Sequence, residues 1–379
     1  MRRVALLATS LASLATAAFS PPSAAQEAGA PDIDGAVRRG VAFLVESQNK
    51  DGSWGSTAST LSDIYAPVPG SYYTFQVASS ALALSALLEV GEGEPGATEA
   101  ARRGADFLLA RHAVRRVSQD TLYNIWAHAY SLEAFARLIA REKDPGRREA
   151  LVTAAREDVE LLERFEFVDG GWGYYDFDAP AKHPGPGATS FTTATALVAL
   201  RMAAGQGVEV PARLVERAAR LIRECEKPDG SYVYSLDLRF WPHMPVNKTK
   251  GSLARTPACL SGLLAAGEDV PAGRIEEAFE NLESQGHFLR IARKYTIPHE
   301  TWYQNSGYFC FYGYYYASGL FSRLSKERRR IEAARIAGHL VPLQEKDGSW
   351  WDYQLFGYHK PYGTGFVLLT LGRCRRVGG

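Results

Sequence analysis

A four-residue ending recurs in this chain at multiples of one distance, and that periodicity restricts the fold more than any other feature. DGSW stands at Asp51 to Trp54, DGGW at Asp169 to Trp172, DGSY at Asp229 to Tyr232, and DGSW again at Asp347 to Trp350. Successive copies lie 118, 60 and 118 residues apart. Two intervals are nearly twice the third, so one period of about 59 residues runs through the chain, with worn copies expected near residues 110 and 288. Those places read RGADFLLARH (Arg103 to His112) and FENLESQGHF (Phe279 to Phe288): the helical pattern survives and the DGxW ending does not. Six units result, too short to bury a core singly and so obliged to stack on one another.

Within the units, two classes of helix alternate. In the first unit Val37, Val41 and Leu44 fall at helical spacing with charges between them, the pattern of a half-exposed outer helix. FQVASSALALSALLEV, Phe75 to Val90, is apolar nearly all round and must be covered on every side. The same alternation follows five more times, ending with Ile331 to Gln344 and then Gly363 to Leu371. The prediction is all-α: six helical hairpins, an apolar inner layer and an amphipathic outer one, in a single domain from residue 34 to 379. The DGxW endings have a structural reading. Gly52 and Gly348 supply the left-handed backbone that ends a helix, with the preceding Asp favouring the turn, and Gly171 and Gly230 belong to the other two copies of the ending. Trp54, Trp172, Trp350 and, in their place, Tyr232 then fasten each hairpin to the next.

The N-terminus reads differently. Arg2 and Arg3 precede an apolar run from Val4 to Phe19, and the small residues Ser23 and Ala25 sit three and one positions before Gln26. This is the layout of a secretory signal peptide over residues 1–25, followed by a loose tail at 26–33. The expected location is therefore secreted or periplasmic, after cleavage near Ala25. No later stretch is read as a transmembrane segment. The net charge is +1, and cleavage removes two arginines to leave −1, so nothing recommends nucleic acid as a partner. Cys225, Cys259, Cys310 and Cys374 form no CxxC pair and no metal-type spacing; Cys259 and Cys310 read as buried thiols.

The run Arg39, Gly40, Phe43, Leu44, Gln48, Gly52 and Trp54 resembles in full the QW repeat of squalene and hopene cyclases, the prenyltransferase and squalene oxidase repeat. Gln344, Gly348 and Trp350 match its second half; Gly171 with Trp172, and Gly230 with Tyr232, match its end. The resemblance spans roughly Asp34 to Arg373 and implies a closed α/α toroid with a central cavity, where periodicity alone equally allows an open solenoid. The family's chemistry carries over poorly. Its class II cyclases protonate an alkene with the aspartate of a DxDD motif at the start of an inner helix. No inner-helix start here contains DxDD, and Thr192 and Thr193 stand about where its last two aspartates would, offering hydroxyls too weak as acids. The protein prenyltransferases hold zinc partly through a histidine in an inner helix that FYGYYYASGL, Phe311 to Leu320, resembles. Tyr312 occupies that position, which leaves a tetrahedral site incomplete. Neither a metal nor a cofactor is expected.

The long loops between each outer helix and its inner partner remain. They exceed the usual roughly 2 to 8 residues of helix connections, and long loops are often functional. They are also where many of the 19 tyrosines lie. Candidate binding residues are Tyr72 and Tyr73 in the first loop, Tyr174 and Tyr175 in the third, Trp241 in the fourth, Arg293, Glu300, Trp302 and Asn305 in the fifth, and Trp351 and Tyr358 in the sixth, with Tyr312 on its helix. Candidate catalytic residues are Asp176 and Asp178, two apart as paired carboxylates for acid–base work, and His299 with Tyr303. Three functions fit. The first is a ligand-binding protein holding a small apolar or saccharide ligand, or a protein partner, through an aromatic cavity. The second is a polysaccharide lyase or hydrolase working at the mouth, which requires Arg293, His299 and Tyr303 in one cleft, with Asn305 nearby in the same loop. The third is a divergent terpene cyclase with Asp176 or Asp178 projecting into a dry cavity.

Overall fold

The computed structural model describes residues 31–60, 69–114, 125–174, 187–295, 299–300 and 302–378. The proposed signal peptide lies outside them. Among the described residues all regular structure is helical, and β-pairing is confined to isolated bridges. Six helices form an inner ring: α2 (Pro69–Val90), α4 (Ile125–Ile139), α6 (Ser190–Ala204), α8 (Arg255–Ala265), α11 (Phe309–Gly319) and α13 (His359–Gly378). Six lie outside it: α1 (Ile33–Glu46), α3 (Ala97–Arg111), α5 (Pro145–Arg164), α7 (Ala212–Glu224), α9 (Ala272–Gln285) and α12 (Lys326–Leu340). A short α10 (His287–Ala292) follows α9. Each inner helix packs on the next, and α13 packs on α2. The ring is closed, an α/α toroid.

Local sequence sets these elements. Asp32, Asp144 and Ser325 cap α1, α5 and α12, their side chains accepting from the backbone N–H of Gly35, Arg147 and Arg328 at 2.8, 2.7 and 3.2 Å. Helix α6 reads SFTTATALVALRMAA and is buried along nearly its whole inner length, threonines included. Ser71–Val90 of α2 is long and apolar enough to cross a membrane by length and composition, but it is mostly buried in the ring. Predicted boundaries move: the first inner helix begins at Pro69 rather than Phe75, the last outer helix spans Lys326–Leu340 rather than Ile331 to Gln344, and the last inner helix begins at His359 rather than Gly363 and runs on to Gly378.

The DGxW endings join neighbouring units by a repeated set of contacts. The indole N–H of Trp54, Trp172 and Trp350 donates to the carbonyl of Leu44, Leu162 and Leu340 on the helix just ended, at 2.7, 2.8 and 2.9 Å. Their backbone N–H groups donate to Ser80, Thr193 and Thr364 on the inner helix of the same unit, at 2.9, 3.0 and 3.0 Å. Trp54 also lies against Gly104 of the next outer helix, where an added Cβ would stand 2.7 Å from the indole; Trp350 lies likewise against Gly40, at 2.8 Å. Gly52 and Gly348 have φ of 88° and 84°, and a side chain at either would meet the carbonyl of Arg103 or Arg39 at 2.4 Å. Gln48 reaches from Gly52 to the Ala100 carbonyl (3.0 and 2.8 Å), and Gln344 from Gly348 to the Ala36 carbonyl (both 2.9 Å). Gly171 is pressed against Thr193, and Gly230 also turns left-handed, at φ 73°. Tyr232 fills the tryptophan position fully buried, its hydroxyl 3.3 Å from Glu226.

The worn units differ. Past α3, buried His112 packs edge-on to Phe135 at 5.1 Å and stands 3.2 Å from the Asp158 carboxylate of α5, which His128 also meets at 2.9 Å. Past α9 the chain runs through Gly286 into α10. All four cysteines are buried and free, and burial pushes the Cys259 and Cys374 thiols up to about 12.

Candidate functional site

The inner helices begin at one mouth of the ring, and their first turns are aromatic. Trp126 and Tyr130 stand four apart on α4, Tyr308 and Tyr312 at the start of α11, Tyr362 and Phe366 on α13. That spacing puts each pair on one face, toward the ring axis. Together with Phe75, Ala78 and Ser79 of α2 and the loop residues Tyr174, Tyr234, His299, Tyr353 and Leu355 they enclose a cavity of about 160 Å³. Among the described residues its lining holds no carboxylate, lysine or arginine.

Several of its phenols turn their hydroxyls into the wall and their ring faces inward. Tyr312 donates to the Phe191 carbonyl at 2.9 Å and lies 3.1 Å from the Thr195 hydroxyl. Tyr362 donates to Asp352 at 2.7 Å. The Asp352 carboxylate also accepts from the Phe311 backbone N–H at 2.9 Å, capping the start of α11 from the neighbouring unit. Complete burial outweighs these bonds and holds its carboxyl at about 6, above the ordinary 3.8. Beyond the cavity the ring axis is plugged: Tyr315 donates to Glu133 at 2.6 Å, and Arg137 pairs with Glu133 at 3.2 Å and Glu89 at 3.5 Å.

One side of the lining is arranged otherwise. The Tyr174 hydroxyl meets those of Tyr234 and, at 2.9 Å, Tyr308. Burial pushes Tyr174 and Tyr234 well above the usual phenol range, so both are neutral hydrogen-bonding groups. His299 stands edge-on to Tyr234, ring centroids 6.3 Å apart. Its Nδ1 lies 2.8 Å from the Gln304 carbonyl and 3.0 Å from the Ser306 hydroxyl. Behind Tyr234 and Phe309 is Arg255, fully buried, its guanidinium 5.4 and 5.8 Å from the two ring centroids. It donates to the Gly251 carbonyl at 2.8 Å and to the carbonyls of Val246 and Tyr232, and its Nε has no partner.

Of the residues predicted from sequence, the cavity brings together Tyr174, His299 and Tyr312. Tyr175, Asp176 and Asp178 lie outside the described residues. The fifth-loop group disperses. The Glu300 carboxylate is occupied by the backbone N–H groups of Trp302, Tyr303 and Asn305, at 2.5, 2.5 and 3.3 Å, so it shapes its own loop. Asn305 is buried and donates to the Lys250 and Phe288 carbonyls at 2.9 and 3.4 Å. Tyr303 packs on Phe288 at 4.7 Å, beneath the Lys250 ammonium. Arg293 donates to the Trp351 carbonyl at 3.1 Å, and Trp351 itself carries Lys294 on its face at 4.3 Å. Trp241 and Trp302 are exposed, 63% and 69%, and so contribute nothing to the enclosed wall. Tyr72 and Tyr358 form a satellite cluster with Phe75 and Phe356, and Tyr73 donates to the Arg111 carbonyl at 3.0 Å. Sequence reading passed over Trp126, Tyr130, Tyr308 and Phe366. Their signal was the four-residue spacing of aromatics at inner-helix starts.

No family model matches this chain. Solved structures do. A type II terpene cyclase, MstE from Scytonema, aligns over 91% of this chain and 98% of its own at 13% identity, TM-score 0.53. Cellobiose 2-epimerase from Spirochaeta thermophila aligns over 90% and 96% at 16% identity, TM-score 0.57. A D-mannose isomerase aligns over 91% and 96% at 13% identity, TM-score 0.56. At these identities the likeness is one of fold, the α/α toroid.

Proposed function

We propose that this protein binds a small apolar molecule, or the apolar end of a longer one, in the aromatic cavity at the mouth of the ring. The observation that carries this reading is the lining: among the described residues, ten of its fourteen are Phe, Trp or Tyr, and none is Asp, Glu, Lys or Arg. A saccharide would bring many hydroxyls to a wall that turns several of its own away, and leaving polar groups unpaired in an apolar site is costly. A dry core cavity of about 150 Å³ takes up benzene, so the enclosed part here suits a single ring or a short prenyl unit. Ring faces of Trp126 and Phe366 can stack on such a group. The lyase reading requires Arg293, His299 and Tyr303 in one cleft, and of these three only His299 is among the described residues that line the cavity.

Kinship with the QW-repeat proteins is part of the same reading. It is supported by the motif from Arg39 to Trp54, whose Gln, Gly and Trp make the inter-unit contacts. A divergent cyclase acting through Asp176 or Asp178 is the second reading, favoured by the apolar wall. We also propose export, on the signal-like residues 1–25. Native mass spectrometry of the protein isolated from its own host, followed by extraction, tests all of these. The expected result is a chain beginning near Gln26 that carries an isoprenoid-like or aromatic small molecule. A bound glycan would overturn the binding reading, and a chain retaining residues 1–25 would overturn export. Conversion of an added polyprenyl substrate, abolished by Asp178→Asn, would move the assignment to the cyclase.

A further inference from the structure

We infer that the cavity has a polar pole, made by Tyr174, Tyr234, Tyr308 and His299 and backed by Arg255, which recognises a hydroxyl group on an otherwise apolar ligand. This rests on the reading that the cavity holds a small molecule, and it adds the chemical class.

The tautomer of His299 is fixed by its neighbour. The Gln304 carbonyl can only accept, so Nδ1 at 2.8 Å donates to it, and in the neutral ring Nε2 is left as a hydrogen-bond acceptor. The tyrosine cluster supplies the opposite function. Three hydroxyls carry three protons, and the two bonds that Tyr174 makes with Tyr234 and Tyr308 use two of them. When Tyr174 donates to one neighbour and accepts from the other, the third proton is presented at an end of the chain, by Tyr234 or Tyr308. With Tyr174 donating to Tyr234 and accepting from Tyr308, that donor is Tyr234, whose ring stands edge-on to the His299 imidazole, centroids 6.3 Å apart, on the same side of the cavity. A hydroxyl satisfies both at once, accepting from the phenol and donating to Nε2.

Arg255 sets the sign of the pole. Fully buried and hydrogen-bonded to backbone carbonyls, it makes no carboxylate ion pair among the described residues. Its charge stands behind the Tyr234 and Phe309 rings, favouring electron-rich oxygen at this end of the cavity and opposing a cationic group there. The remaining lining offers mainly ring faces and methyl groups, with Ser79 the hydroxyl on the α2 side.

A matched pair of ligands tests this. p-Cymene and carvacrol share a ten-carbon skeleton and differ by one phenolic hydroxyl. On transfer from water alone the hydroxyl weakens binding to an apolar site. The pole predicts the reverse, carvacrol binding about tenfold more tightly, the worth of one to two net hydrogen bonds. Titration of the native chain by calorimetry, with quenching of intrinsic tryptophan fluorescence as a second readout, gives both constants. In His299→Phe and, separately, Tyr234→Phe, the carvacrol to p-cymene ratio should collapse toward one, with near-ultraviolet circular dichroism reporting the fold of each variant. Tighter binding of p-cymene by the unaltered chain overturns the pole and leaves the cavity reading standing. A preference for carvacrol that survives in both folded variants also overturns the pole. Binding of neither compound overturns both readings.

Discussion

The outer turns and the cavity wall are built from the same units in opposite ways. Trp54, Trp172 and Trp350 each donate the indole N–H to a helix-end carbonyl ten residues earlier and the backbone N–H to one short inner-helix hydroxyl. In the cavity the four-residue spacing recurs at inner-helix starts but the side chains and their partners change from unit to unit. The first unit offers Phe75 and Ser79, the second Trp126 and Tyr130, the fifth His299, Tyr308 and Tyr312, the sixth Tyr362 and Phe366. What every unit must do alike is stack; what the wall does requires the units to differ.

The sharpest break of that comparison is Trp54→Ala. Truncating a fully buried indole should cost about 3–5 kcal/mol in chemical denaturation. Trp350→Ala should cost as much, because in a closed ring no unit is terminal; a much smaller loss at Trp350 would mean that the sixth-to-first contact is weak in solution. Next comes a residue that belongs to both regions, Asp352, which caps α11 and holds the cavity phenol Tyr362. Its carboxyl at about 6 keeps in the folded chain a proton that the unfolded chain has shed, so its contribution is complete below about pH 4 and is lost as the pH rises through about 6. A difference of that size corresponds to about 3 kcal/mol. Denaturation of the unaltered chain and of Asp352→Asn at pH 4 and pH 7 should show the stability gap between them narrowing by that order as pH rises. A constant gap would mean that Asp352 is ionised throughout. The smallest effect is expected at the pole: His299→Ala should change stability by less than about 1 kcal/mol, since half-exposed loop side chains contribute little to folding. A loss at His299 as large as at Trp54 would erase the division between the two regions.

How much could be read in advance follows the same division. Glycine, glutamine and tryptophan at a 59-residue period carry local instructions, a left-handed turn and a buried indole, and these survive the reduction to letters. The six hairpins and their inner and outer layers followed from them. Closure did not, because it depends on α13 meeting α2 across the whole length of the chain. The cavity was legible in part. Tyrosines crowding the loops pointed to Tyr174, and the histidine of the fifth loop to His299, but proximity in sequence overstated the company of His299. Glu300 and Asn305, its neighbours in the chain, serve the backbone of their own loop. Its spatial partner, Tyr234, comes from the loop before.

Closure also settles how such a stack can exist in water. An open array of helical hairpins ends in two units whose apolar flanks need polar covers. Here the last unit and α1 are each other's cover: from the turn before α13, Gln344 is held by Arg39 at 2.6 Å and Trp350 fits over Gly40, and from α13 itself Arg375 reaches Asp34 at 3.4 Å. The first and last helices therefore behave as the two halves of a latch. Where a linear array would fray from either end, this one must first unlatch, and the chain could be cut at another loop and rejoined across the latch with its hairpins in the same order around the ring.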